Sequence, residues 1–346
     1  MNTLPKNMRA AVYHRQGELS IETCKIPEVG RNDVLLRVSY CGVCGTDLHL
    51  VMDGWGQPES IFGHEYSGQI VAMGEGVQAW VLGQSVVALP SPSCGECKFC
   101  LQHRPSLCIN DTDIGSGSYQ GAFAEYKAVA AKDIIAIPDG LNLRDAALCE
   151  PLAVAMHGIT RSAVVPGMRV LISGCGPIGL LILAVLKSTG IDDIVVCEPS
   201  TERRQHAVTV GAAHVLQPKD MSIPEIPTEQ VAAPFDVAFE CSGKSAAIET
   251  ALGNLDKGGV LVLMGTGLDP TNLDAIRIIL SEIVITGAYN YDELGFQTAL
   301  DLLASGKLKS EDLIVANDTV LGDLLPSMQA LAAGDMVGKL MVDVRH

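Results

Sequence analysis

Residues 169–179 read RVLISGCGPIG, an apolar run that ends in glycines at 174, 176 and 179, the spacing G-x-G-x-x-G. The run before the glycines is strand-like and the stretch after them, IGLLILAVL, is helix-like, so the motif sits at a strand-to-helix turn. The first glycine permits the tight turn, and the second lets the backbone approach a pyrophosphate. The third allows close helix–strand packing, with the helix N-terminus facing the phosphates. A glycine-rich turn can also serve an α/β fold with no ligand. Here, however, the next strand, DIVVCE, ends at Glu198, about where an acid that accepts ribose hydroxyls belongs. Gly174, Gly176, Pro177, Ile178, Gly179, Glu198 and Arg203 are therefore the candidate cofactor residues. A carboxylate at 198 repels a 2′-phosphate and favours NAD over NADP, whereas Arg203 and Arg204 pull the other way.

Outward from this turn the pattern fixes the fold class. From about residue 151 continuous apolar strands (RVLISG, DIVVCE, FDVAFECSG, GGVLVLMG) alternate with helical stretches, which implies a parallel sheet covered on both faces. The first 150 residues instead give short strands broken by glycine and proline: AAVYH, DVLLRVSY, YSGQIVAMG, SVVALP, AFAEYKAV and DIIAIP. That spacing predicts a β-rich, barrel-like unit. After IVITGAY come one helix, ELGFQTALDLLASG, polar turns and a closing strand, GKLMVDV; residues 221–234 are the loosest segment. A length of 346 residues suits two domains, and the composition suits a packed α/β enzyme.

A formal charge of −16 argues against nucleic acid or an anionic membrane surface as partner. No apolar run reaches the roughly 18 residues of a membrane span, and the first residues lack a signal-peptide core. These features predict a soluble cytoplasmic protein. Eleven cysteines cannot all pair within one chain, and Cys175, Cys197 and Cys241 read as buried thiols in or beside apolar runs.

Four of the others lie in SPSCGECKFCLQHRPSLC (91–108), as C-x2-C-x2-C-x7-C. Thiolates from Cys94, Cys97, Cys100 and Cys108 can close a tetrahedron round zinc, leaving no open position, which is the pattern of a structural site. The rival is a four-iron cluster, but its bacterial motif brings the fourth cysteine after three residues and before proline. A second set lies in YCGVCGTDLHL (40–50) and FGHEYSG (62–68). Cys44 and His64, with Glu65 or the later Glu150, could supply three ligands and an open position, the arrangement of catalytic zinc.

GVCGTDLH, GHE, the four-cysteine lobe, CEPLAVAMHG and GCGPIG occur together and in the order of the zinc-dependent medium-chain alcohol dehydrogenases. The chain most resembles their polyol branch, which includes sorbitol, butanediol and threonine dehydrogenases. The resemblance implies a GroES-like catalytic domain (1–150, with the zinc lobe at 91–110), a Rossmann doubly wound NAD domain (151–290), and a C-terminal segment (291–346) that completes the first. It also implies a homodimer or homotetramer, formed by edge pairing of the nucleotide domains, and two zinc ions per chain. Residue by residue, it makes Cys44 rather than Cys41 a catalytic-zinc ligand, with His64 and Glu65, and puts Glu150 where many alcohol dehydrogenases have a second cysteine. Thr46 takes the position that contacts the substrate oxygen, His49 that of the residue passing the proton to solvent, and Asp47 that of the carboxylate orienting the histidine. Oxygen ligands can accept a bond from a neighbouring hydroxyl, so the expected substrate is a polyol, vicinal diol or amino alcohol.

Three positions depart from the family: Gly45, where many members have a basic residue; Asn290, where sorbitol dehydrogenases have an arginine; and Gln84, which replaces an aspartate. The competing readings are a zinc-free NADPH quinone or enone reductase of the same superfamily, a nucleotide-binding redox sensor, and an iron–sulfur electron carrier.

Overall fold

The computed structural model describes residues 4–90, 93–110 and 119–346; residues 91 and 92 of the expected zinc lobe lie outside them. The chain divides into two compact units, Met1–Glu150 with Asp292–Gly306 and Ile314–His346, and Pro151–Tyr291 with Lys307–Leu313. The 307–313 stretch thus belongs with the second unit rather than with the rest of the C-terminal segment. Leu308 and Leu313 are buried there, and the His206 ring meets the Asp312 carbonyl through Nε2 at 2.6 Å.

The first unit opens with β1 (Asn7–Arg15), β2 (Glu18–Lys25) and β3 (Asp33–Gly42), followed by helix α1 (Gly45–Met52). It continues through β4 (Ser60–Ile61), β5 (Glu65–Met73), β6 (Ser85–Ala88), β7 (Tyr126–Ala130) and β8 (Ile134–Ala136). Strands β2-β1-β4 form one antiparallel sheet, and β3, β5, β6 and β8 run side by side in another, with β7 also on β3. One apolar core, including Val34, Leu36, Phe62, Tyr66, Ile70 and Phe123, fills this unit. Helices α2 (Leu143–Ala146) and α3 (Cys149–Ser162) follow.

The second unit contains β9 (Val170–Ser173), α4 (Pro177–Ser188), β10 (Ile194–Cys197), α5 (Thr201–Val210) and β11 (His214–Leu216). Then come β12 (Phe235–Glu240), α6 (Ser245–Gly253), β13 (Leu255–Leu263), α7 (Ala275–Ser281) and β14 (Val284–Gly287). The sheet is parallel throughout, in the order β11-β10-β9-β12-β13-β14. Strands β9 and β10 are buried along their whole length, which explains their unbroken apolar sequence. The order reverses between β9 and β12, and Ser173, Cys197 and Glu240 stand level at the strand ends. The loops after them therefore converge where open α/β sheets bind ligands.

Beyond it, α8 (Gly295–Ala304), β15 (Thr319–Val320), α9 (Leu324–Ala333) and β16 (Met341–Asp343) close the chain, with β16 antiparallel to β3. Helix α9 corrects the expected polar turns: Leu324, Met328 and Leu331 are buried on one face, and Gly334 ends the helix in a left-handed conformation. Residues 221–234 carry no helix or strand, yet they are not loose. The buried Arg277 guanidinium donates to the carbonyls of Pro224 (2.6 Å), Glu229 (3.1 Å) and Ile226 (3.4 Å). No helix among the described residues is long and apolar enough to cross a membrane.

Candidate active site

The turn between β3 and α1 sets Cys44 at the helix N-cap. The fully buried Asp47 accepts the Cys44 N–H at 2.9 Å through Oδ2 and the Gly63 N–H at 3.2 Å through Oδ1. One carboxylate thus ties the start of α1 to the 62–64 turn and brings Cys44 beside His64. Gly63 has φ +90°, and a Cβ there would meet Cys41 Sγ at 2.8 Å and the Phe123 ring at 2.9 Å. His64 Nδ1 lies 3.6 Å from Asp47 Oδ1, beyond a hydrogen bond but within strong electrostatic reach. Glu65 begins β5 opposite Gly42, and its Oε1 accepts from Lys339 Nζ at 2.6 Å; its buried Oε2 has no hydrogen-bond partner. The donor atoms of Cys44, His64 and Glu65 all lie within 4.8 Å of one another. Glu150, buried at the start of α3, stands outside that tight set.

The pocket favours a cation. Burial opposes charge on His64, yet Asp47 and Cys44 outweigh it and hold the imidazole well above its ordinary value. Burial pushes Glu150 up to about 7; Glu65 and Asp47 push the same way, against His64 and Lys339. A soft thiol, an imidazole and a carboxylate with an unpartnered oxygen form a donor set that fits zinc.

On α1, Thr46 Oγ1 lies 3.7 Å from Cys44 Sγ. Three residues on, His49 meets Asp53 Oδ2 through Nδ1 at 2.6 Å, and its ring stacks on Trp55 at 4.6 Å and 12°. With the proton on Nδ1 towards Asp53, Nε2 is the accepting nitrogen.

The four-cysteine lobe is equally compact, with all four Sγ atoms within 4.8 Å of one another. Cys100 Sγ lies 3.5 Å from Cys97 Sγ and 3.9 Å from Cys94 Sγ, far longer than a disulfide bond. A tetrahedron with zinc–sulfur bonds of about 2.3 Å has edges of about 3.8 Å, so the spacing suits one ion rather than a cluster. Backbone N–H groups, that of Cys100 foremost, bring the Cys97 thiol down to about 6, while burial pushes its neighbour Cys100 up to about 11, so the two share their protons unequally. Side chains tie the lobe to the C-terminal segment: His103 meets Glu293 at 2.5 Å, Arg104 pairs with Asp292 at 3.0 Å, and Ser106 donates to Asp292 at 2.6 Å.

In the second unit each glycine of the loop has its own geometry. Gly174 has φ +91°; a Cβ on Gly176 would meet no atom within 4 Å; a Cβ on Gly179 would fall well inside contact distance of the Gly174 carbonyl oxygen. Pro177 and Ile178 open α4 behind that space. This is a cradle open on the side from which a pyrophosphate approaches. Glu198 lies across it, its Oε2 accepting from the Cys175 N–H at 2.8 Å and its Oε1 from the Ser200 N–H at 2.9 Å. Arg204 is folded back, donating to the carbonyls of Glu198 and Pro199 at 2.6 Å each. Ser200 caps α5, its Oγ accepting the Arg203 N–H at 3.4 Å.

Comparison with known proteins shows the family. Residues 30–139 match the alcohol dehydrogenase GroES-like domain, and residues 177–305 match the zinc-binding dehydrogenase family. Sorbitol dehydrogenase of Bacillus subtilis (strain 168) is 32% identical over 90% of each chain. The chain belongs to the zinc-type medium-chain polyol dehydrogenases. Among solved structures, (2R,3R)-butanediol dehydrogenase of Bacillus subtilis superimposes on this polyol dehydrogenase with a TM-score of 0.86, at 29% identity, over 97% of this chain and 99% of the other. A protein of Sinorhizobium meliloti 1021, described as a zinc-binding dehydrogenase and solved with NADP, gives 0.87 at 28% identity over 98% and 100%. As a member of this family the chain is an alcohol dehydrogenase that works with a nicotinamide cofactor. Lys339, which pairs with Glu65, and Asp53 and Trp55, which hold His49, are the neighbours of the candidate residues that the sequence reading missed. Of these only Asp53 left a local signal, four residues after His49 on one helix face.

Proposed function

We propose that this dehydrogenase oxidises a secondary alcohol of a polyol, vicinal diol or amino alcohol to the ketone, using NAD and two zinc ions per chain. Cys44, His64 and Glu65, with Glu150 beside them, hold the catalytic ion, and Cys94, Cys97, Cys100 and Cys108 hold the structural one. The compact Cys44–His64–Glu65 set, in a buried pocket rich in negative charge, carries the reading. It also argues against a zinc-free reductase.

Bound zinc supplies Lewis acidity that strengthens an alcohol as an acid, and bound NAD supplies the carbon that accepts hydride. The chain's own residues manage the proton and the geometry. The Thr46 hydroxyl receives the substrate's proton and passes it towards Nε2 of His49, whose orientation Asp53 and Trp55 fix. Asp47 holds the Cys44 turn and faces His64. Glu150, buried at the start of α3 beside this set, offers carboxylate oxygens that can accept a hydrogen bond, which suits a substrate with a second hydroxyl or an amine beside the reacting carbon.

Three further readings belong with this one. The Glu198 carboxylate and the folded-back Arg204 support NAD over NADP. Strand β14 is the sheet's last strand; its Val284, and Ile276 and Ile279 on the preceding helix α7, are more than half exposed, which supports pairing of this edge with a second copy as a dimer or tetramer. Free cysteines throughout the described residues support a reducing compartment such as the cytoplasm.

The test is NAD reduction, followed by absorbance, across vicinal diols, sugar alcohols, amino alcohols and cyclitols, with and without a zinc chelator. Chelator-sensitive turnover, much faster with NAD than with NADP, is expected. Turnover that survives removal of both metals would refute the metal assignment, and a protein that binds no NADH would refute the whole reading.

A further inference from the structure

The buried cation against Glu65 has no part in the chemistry above. Lys339 precedes β16 in a stretch whose next residues, Leu340, Met341 and Val342, are all buried and apolar. Its Nζ donates to Glu65 Oε1 at 2.6 Å and to the Val43 carbonyl at 3.1 Å, and both side chains are almost wholly enclosed. A buried ammonium is expensive to desolvate, and an apolar residue of similar size would pack among these neighbours at least as well. The cation therefore serves the site rather than the core. Val43 is the residue before Cys44, so one ammonium fixes the backbone beside one metal donor and the side chain of another.

The two oxygens of Glu65 are left unequal. Oε1 is held by Lys339, while Oε2 is buried without a partner and lies over Gly42, where a Cβ would fall inside its contact distance. We propose that Lys339 is a positioning residue that occupies Oε1, so that Glu65 offers the metal a single oxygen, Oε2. A carboxylate that shares its charge with an ammonium is a weaker and more exchangeable donor than a free one, which keeps a coordination position open to an incoming hydroxyl. The inference rests on Cys44, His64 and Glu65 holding a metal.

The experiment replaces both zinc ions with cobalt in the full-length protein and reads two signals besides activity. These are the intensity of the cobalt visible bands, which falls as coordination number rises, and the rate of metal release to a chelator. Cys44→Ala, which leaves only the lobe's ion, gives the spectrum to subtract. In Lys339→Met, Glu65 is free to bind through both oxygens. The difference bands should weaken and release from this site should slow about tenfold, opposite in sign to the usual loss when a ligand's partner is removed but of the same order. Unchanged bands with unchanged or faster release would overturn the proposal, since a merely structural lysine would lower thermal stability and leave the spectrum alone. If Lys339→Met does not fold, Lys339→Gln keeps a polar side chain of similar reach but removes the charge held against Oε1. Its bands should weaken and its release slow in the same direction as for Lys339→Met, and an unchanged spectrum would overturn the proposal. A parent protein that takes up one cobalt per chain instead of two would sink the metal-site reading itself, a result separate from any effect of the lysine.

Discussion

Replacing Gly176 by alanine adds a methyl group where the folded chain has room and a bound dinucleotide would not. The new Cβ meets no protein atom within 4 Å, and the backbone there, φ −70° and ψ −170°, is open to any residue. The loss of stability should therefore stay near the preference for glycine over alanine at a helix N-cap, about 0.5–1 kcal/mol. With the cofactor seated as proposed, the methyl would stand between the loop's N–H groups and the pyrophosphate. Weakening one hydrogen bond to a charged group costs about 1.5–3 kcal/mol, or roughly a 10- to 100-fold rise in the Kd for NADH. Gly179→Ala should behave in the opposite way. Its Cβ would press on the Gly174 carbonyl oxygen and lie 3.1 Å from the Gly174 carbonyl carbon and 3.2 Å from Ile172 Cγ2, with backbone that cannot swing aside. Overpacking of that kind costs about 1–3 kcal/mol in stability. NADH fluorescence titration and thermal unfolding, run on both variants, separate binding from folding. A Gly176→Ala protein that binds NADH within about twofold of the parent would refute the cradle, because no route remains by which that methyl could be harmless to a phosphate at the loop.

Cys108→Ser should leave one zinc per chain by elemental analysis and raise hydrogen exchange across 292–296, where the lobe's side chains hold the C-terminal segment; retention of both metals would contradict the lobe's assignment. Arg277→Ala removes the donor to three carbonyls, so limited proteolysis should begin between 222 and 232 while the parent resists; equal resistance would show that the segment is held by something else. Burial raises the Cys175 thiol to about 12 and the Cys197 thiol to about 11, from 9 in the unfolded chain. The folded state keeps these protons longer, so stability is intact below pH 9 and falls as pH rises through 9 towards 11–12. Each thiol removes at most about 1.4 kcal/mol per pH unit. Lys127, lowered to about 8 by burial, adds stability between pH 8 and 10.5 and partly offsets the fall. Denaturation midpoints at pH 8 and 10 check the sign, and Cys175→Ala should flatten the slope.

Much of the second unit was legible because a sheet buried on both faces writes its strands as unbroken apolar runs, VLIS and IVVC among them. Helix α1 was not. Its eight residues are too few for a clear period, and contacts of Asp47 with Cys44 and Gly63 define its start. Helix α9 could have been read from Leu324, Met328 and Leu331, spaced i, i+4, i+7, and was missed behind its glycines and proline. At the candidate site, Cys44, His64 and Glu65 were visible as motifs, and the structure gathers them. Glu150 reaches the same pocket through the start of α3, outside the tight donor set. Lys339 left no local trace, since its contact depends on the register that sets Met341 opposite Gly42. Position 84, unexplained by sequence, has a plain role: Gln84 Oε1 accepts the Val81 N–H at 3.4 Å and closes the turn before β6.

The pairing of β16 with β3 has a consequence for how the protein is made. Cys44, His64 and Glu65 leave the ribosome long before residue 339 is translated, and until then Glu65 has no counter-charge and β3 lacks β16. An ion captured early meets a carboxylate free at both oxygens in a pocket without its last wall. On the proposed metal assignment, correct loading would belong to the finished chain, after release, and a truncated product that ends before Lys339 would carry the motifs of the site without its counter-charge.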